Sequence, residues 1–97
     1  MAPFTLINNN MPGVSRVTTD NAGGTIVGPG APTVFTEGKP TSTVNDNIAT
    51  HGDPPHAAPT MVGSSGTVYA EGKLVCRAGD NASCGHSAQG SSTVFAG

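Results

Sequence analysis

Thr33-Val-Phe-Thr-Glu-Gly-Lys39 returns 34 residues later as Thr67-Val-Tyr-Ala-Glu-Gly-Lys73. The agreement continues at the same offset with Asp46-Asn47 against Asp80-Asn81, and a third, truncated copy follows as Ser92-Thr-Val-Phe-Ala-Gly97. One phrase at one fixed spacing marks an internal repeat. Thr-Val-Phe/Tyr is β-branched and aromatic, which favours extended strands. Glu37-Gly38 and Glu71-Gly72 then place a glycine where a tight turn needs a positive φ angle. Each copy is therefore predicted to be a hairpin, with second strands at about 40–44 and 74–78. Working outward, Gly24-Thr-Ile-Val-Gly28 precedes the first copy and Pro59-Thr-Met-Val-Gly63 the second. Ser15-Arg-Val-Thr-Thr-Asp20 is comparable to Cys76-Arg-Ala-Gly-Asp80, as the tail end of another unit. One small unit thus occurs about three times, its ends cut mid-repeat. No stretch carries a helical period.

Composition agrees with a small all-β protein that its own core cannot hold. The 97 residues include two Leu, three Ile, nine Val and three Phe, no Trp, and 14 Gly with 8 Pro. Four basic and six acidic residues leave a net charge of −2. That balance disfavours a basic nucleic-acid binder and an acidic tail, and it lacks the high net charge that accompanies low hydrophobicity in disordered chains. No run reaches the ~18 apolar residues of a membrane helix. Met1-Ala-Pro-Phe-Thr-Leu-Ile7 has neither the basic residue nor the apolar length of a signal peptide. Residues 1–10 read as an N-terminal extension and 11–97 as a single repeat domain.

The histidines stand where the repeats break. His51-Gly-Asp-Pro-Pro-His56 puts two imidazoles on one loop, and Cys84-Gly-His86 puts a thiolate and an imidazole on the matching loop one repeat later. Three imidazoles and one thiolate complete a tetrahedral set for Zn²⁺, with no open position for a substrate, which is the pattern of a structural site. Fe²⁺ suits the same donors tolerably. The motive is stability: so few large apolar residues cannot offset the conformational entropy of the chain. A structural metal contributes on the order of 10 kcal/mol of apparent folding free energy. A Cys76–Cys84 disulfide would close a small loop and ranks below metal use. Cys76 aligns with Ser42 and reads as a small packed residue. Asp46 and Asp80 occupy equivalent positions where Asp caps its own turn; Asp53 is a further acid near the loops. Arg16 and Arg77 are candidates to pair with such carboxylates.

The unit Thr-Val-aromatic-x-x-Gly-Lys, followed by small residues, Arg, x-Gly-Asp and a Cys/His loop, resembles the PAAR-repeat family over about residues 11–97. The naming tetrapeptide is degenerate: its positions hold Pro40-Thr-Ser-Thr43, Leu74-Val-Cys-Arg77 and Gly13-Val-Ser-Arg16. The resemblance implies a small zinc-binding cone of about three short hairpins with long loops, metal at the apex. It carries the ligand role onto His51, His56, Cys84 and His86, of which Cys84 and His86 match the family pattern best. It further implies a mechanical role: a tip that caps the blunt end of a trimeric β-helical, membrane-piercing spike, one copy per trimer. The length is most similar to the stand-alone tip of a phage baseplate, which implies a virion protein made in the host cytoplasm and meeting the target outer membrane. The base expected from it presents Val34, Val68 and Val94 with Phe35, Tyr69 and Phe95; Phe4, Leu6 and Ile7 add to that surface. No small-molecule substrate, nucleic acid or catalysis is expected.

Two other classes fit some of the residues. Cys84 with His86 or His51 could form a thiol–imidazole pair of a small enzyme, although no acidic orienter or oxyanion loop accompanies it. A generic zinc-stabilised module binding a peptide or glycan is the other.

Overall fold

Where the repeated phrase calls for hairpins, hairpins form. The computed structural model describes residues 11–97, so Phe4, Leu6, Ile7 and the 1–10 extension lie outside the described residues. The strands are β1 (Asn21–Ala22), β2 (Gly24–Gly28), β3 (Ala31–Thr36), β4 (Lys39–Thr41), β5 (Asn47–Ile48), β6 (Tyr69–Ala70) and β7 (Lys73–Leu74). Among the described residues there is no helix. β3 pairs with β4 and β6 with β7, both antiparallel, with Phe35 opposite Pro40 and Tyr69 opposite Leu74. The turns carry positive φ at both central residues, 53° and 82° at Glu37-Gly38, 52° and 79° at Glu71-Gly72. That is the mirror-image turn whose twist matches the flanking strands. The glutamates thus adopt the left-handed conformation along with the glycines.

The third hairpin is assembled from both ends of the described chain. Phe95 bridges Gly13, Val14 N–H donates to Val94 O at 2.8 Å, and Ala96 N–H donates to Pro12 O at 3.0 Å. Phe95–Gly13 therefore repeats the Phe35–Pro40 and Tyr69–Leu74 pairings, with chain ends in place of the turn. This is how a unit cut mid-repeat is completed.

Just past each hairpin the three units join. Ser15 N–H donates to Cys76 O, Cys76 N–H to Ser42 O, and Ser42 N–H to Ser15 O, each at 2.9 Å. The three residues are fully buried. Buried backbone groups must find partners, and this closed ring supplies them only when all three units are present. The bridges Val14–Arg77, Arg16–Thr41 and Thr43–Val75 run around the same approximate threefold axis. Each unit then turns on an aspartate whose carboxylate accepts a backbone N–H: Arg16 to Asp20, Thr43 to Asp46 and Arg77 to Asp80, all at 2.8–2.9 Å. Arg16 and Arg77 also grip their aspartates through the guanidinium. At Asp46 the Ser42 hydroxyl takes that part.

Two apolar clusters flank the ring. One gathers Val14, Ala31, Ala70, Val75 and Ala96 on the hairpin side. The other gathers Val17, Ala22, Ile26, Ile48, Met61, Cys76, Ala82 and Ala88, with Cys84 packed against it. β2 lies between β1 and β5 and delivers Ile26 into this second cluster.

Several boundaries differ from the sequence reading. The second strands end at Thr41 and Leu74 rather than reaching 44 and 78, because the following residues enter the ring. Thr67 and Val68 stay outside β6 because Ser65 Oγ accepts both of their N–H groups. Ser91 Oγ does the same for Thr93 and Val94. Ala31, which has no hydroxyl, stands at that position in the first unit, where the Thr33 N–H donates to Glu71 instead, and β3 is correspondingly the longest strand.

Candidate metal centre and docking face

Three loops leave the aspartate turns and meet beyond the second cluster. Asn21, Asn47 and Asn81 begin them, and each loop returns to pair at Thr25, Thr60 and Ser87. The long 47–60 loop carries His51 and His56, and the 81–87 loop carries Cys84 and His86. Their donor atoms all lie within 4.8 Å of one another. The three imidazole centroids form a nearly equilateral triangle with sides of 5.0, 5.0 and 5.1 Å. Asp53, on the same loop as the histidines, is exposed and outside the group; its carbonyl accepts the His56 N–H at 2.7 Å.

The donor chemistry fits a cation. His51 Nδ1 sits 2.9 Å from Ala49 O. A carbonyl can only accept, so Nδ1 carries the proton and the Nε2 lone pair is free, the usual outer hydrogen bond of a metal-binding histidine. That Nε2 lies 3.6 Å from Cys84 Sγ. Zn–S and Zn–N bonds of ordinary length at a tetrahedral angle would separate the two atoms by about 3.6 Å. His56 Nδ1 is buried without a hydrogen-bond partner. An orphaned buried nitrogen is costly, and beside three other donors it points to an ion. His51, His56 and Cys84 are half-buried and His86 is exposed.

Both cysteines are free, so the alternative disulfide is not formed. Cys76 is buried at the threefold ring, where its thiol donates to Gly63 O at 3.3 Å. Burial pushes that thiol up to about 12, which leaves it neutral and inert. It is therefore the packed cysteine of the pair.

The other end of the stack is an open apolar concavity of ≈ 220 Å³. Its wall residues come in threes: Val34, Val68 and Val94, then Phe35, Tyr69 and Phe95. The valines are 39%, 36% and 38% exposed, close enough to be the same position in three copies. Phe35 and Tyr69 stand out at 58% and 62%, whereas Phe95 is half-buried. Val14, Thr41 and Val75 line it as a further trio, from the residues preceding the ring. Around the rim each unit reaches into the next. Glu37 accepts from Ser91 and Thr93, Glu71 from Thr33, and Gly97 O from Ser65 and Thr67. Arg16 adds an ion pair to Glu37. These bonds hold the Glu37 carboxyl below the usual carboxylate range, the Ser91 hydroxyl contributing most.

The concavity shares Val14, Ala70, Val75 and Ala96 with one apolar cluster, while Cys84 packs on the other. The donor group and the concavity therefore lie at opposite ends of the threefold stack. Sequence reasoning missed Gly23 and Gly24, whose backbone lies against the imidazoles. The signal was present in Asp20-Asn-Ala22, which echoes Asp46-Asn-Ile48 and Asp80-Asn-Ala82.

A family model described as the PAAR motif matches residues 18–87, spanning all four donors and both complete hairpins. Proteins with this motif sit at the tips of spikes in phage and secretion systems, so a role at a spike tip, with a spike protein as partner, comes with the match. No curated protein matches the chain. With the repeated hairpins, the converging donors and the motif on most of its length, the chain belongs to the PAAR-motif family.

Proposed function

We propose that this protein is a structural tip that caps the blunt end of a trimeric β-helical spike and sharpens it for passage through a target cell envelope. The observation that carries the reading is the threefold concavity: three valines of equal exposure and their neighbouring aromatics surround one axis. A single chain with such a base matches a threefold partner one to three. The open end of a trimeric β-structure needs a cap, because unpaired strand edges invite wrong pairing. Apolar side chains left at this exposure on a small, nearly uncharged protein are those an interface would cover.

At the opposite end, His51, His56, Cys84 and His86 would hold one structural Zn²⁺, with Fe²⁺ the alternative the donors also accept. Four protein donors fill a tetrahedral shell, which favours a staple over a catalyst. Breaking those bonds would oppose unfolding when the tip is pushed. The reading extends to the tip of a contractile-tail baseplate, and so to a place on the virion, with the family match as its support.

The test is stoichiometric mixing with a trimeric β-helical spike, followed by native mass spectrometry. One copy per trimer is expected, and Val68→Asp should abolish binding while circular dichroism stays unchanged. No complex with the wild type, or equal affinity for the variant, would contradict the docking face and leave the generic zinc module ahead.

A further inference from the structure

Of the three apex loops, two carry donors and one carries none. Asn21–Thr25 is the shortest and contains only Ala22, Gly23 and Gly24 between its paired ends. Its backbone occupies the side of the donor group that a third ligand-bearing loop would otherwise fill. A Cβ on Gly23 would stand 2.6 Å from His51 Nε2 and 2.7 Å from His86 Cγ. A Cβ on Gly24 would stand 2.8 Å from His51 Nδ1 and would run into Ala49 O, the acceptor that orients that ring. The two glycines thus abut both nitrogens of His51 and the ring of His86.

We infer that the Gly23–Gly24 turn is a positioning element of the metal centre: it seats His51 and His86 and closes the donor set on the side where no ligand enters. Sterics demand glycine here. The approach is closer than any real Cβ could tolerate, and the neighbours are ring atoms held by their own bonds. Gly23 also has φ of +86°, but that alone distinguishes nothing. Gly38, at +82°, and Gly79, at +91°, have open space where a Cβ would go. Backbone strain is therefore shared by all three positions, and crowding of the imidazoles belongs to Gly23.

This inference rests on the donor group being a metal site, and the experiment separates the two. Wild type, Gly23→Ala, Gly38→Ala and Gly79→Ala are loaded with Co²⁺, whose visible spectrum reports a tetrahedral site with a thiolate, and its loss to EDTA is timed. Positioning partners of metal ligands typically change affinity by 10–100-fold, so Gly23→Ala should release Co²⁺ at least about tenfold faster, with a weakened spectrum. Gly38→Ala and Gly79→Ala should match the wild type. Gly23→Ala behaving as those two do would overturn the role of the turn while leaving the metal site standing. A wild type that takes up no Co²⁺ would overturn the metal reading and the inference with it. Should Gly23→Ala not fold, replacing Gly23 by D-alanine through chemical ligation decides. Its methyl group replaces the other Cα hydrogen, not the one that faces the rings, and its φ preference suits the site, so Co²⁺ should be retained as in the wild type. Rapid Co²⁺ loss with D-alanine would overturn the proposal.

Discussion

Ile26→Ala tests how the second apolar cluster and the metal share the stability of the fold. Ile26 is fully buried on β2 opposite Ile48. Its backbone accepts from Thr18 at 2.7 Å and donates to Asp20 O at 3.0 Å, bonds an alanine would keep. The loss is therefore confined to the side chain, for which such truncations cost about 2–5 kcal/mol. Ala22, Ala82, Ala88 and Cys76 are too small to swell into the space, and Met61 is the one flexible neighbour in the cluster. Limited collapse keeps the cost off the bottom of that range, at about 3–4 kcal/mol. For a domain of this size each kcal/mol lowers Tm by about 4–8 °C, so the metal-loaded variant should melt about 12–30 °C below the wild type. The core does not hold the fold without the metal, so chelation should unfold the variant and the wild type alike. Thermal unfolding followed by circular dichroism at fixed metal concentration gives the comparison. Val27→Ala, at a half-exposed position next in sequence, should shift Tm by no more than about 4 °C. An Ile26→Ala shift as small as that of Val27→Ala would refute the packing argument.

Two further substitutions separate roles that the sequence leaves entangled. Cys76→Ser should keep full metal content, since the thiol only packs and bonds Gly63 O; metal loss in elemental analysis would mean the wrong cysteine had been assigned to the site. Glu37→Gln should flatten the acid limb of the stability curve. The folded carboxyl titrates below its ordinary range, so its contribution is complete above that range and disappears as pH falls through the folded value. The stability difference between wild type and Glu37→Gln, measured by urea unfolding, should shrink between pH 7 and pH 3, and a difference that stays constant would count against the rim bonds.

Much of the fold was legible because the repeated residues are the ones whose side chains do the work. Glu-Gly turns, Thr-Val-aromatic strands and the Asp-Asn pair recur in sequence and in space. The four donors were visible because no other histidine competes with them. The third unit was harder to see. Its hairpin is divided between Val14 and Phe95 at opposite ends of the chain, and its apex strand is Ser87-Ala-Gln-Gly90, where Ala88 takes the cluster position of Ile26 and Met61. Equivalence there is carried by the backbone ring through Ser15, Ser42 and Cys76, which tolerates any small side chain and so leaves no pattern. The Gly23–Gly24 turn stayed hidden for a related reason. It contributes by the side chains it lacks, and a glycine pair in a glycine-rich chain carries no mark of what lies beside it.

The decisive measurement is metal content against folding in one sample. Protein purified without added metal should contain one equivalent of zinc or iron per chain by elemental analysis, and exhaustive EDTA dialysis should remove it together with the compact state seen by size exclusion and circular dichroism. A chain that remains compact and folded with no metal detected would contradict the account at its root.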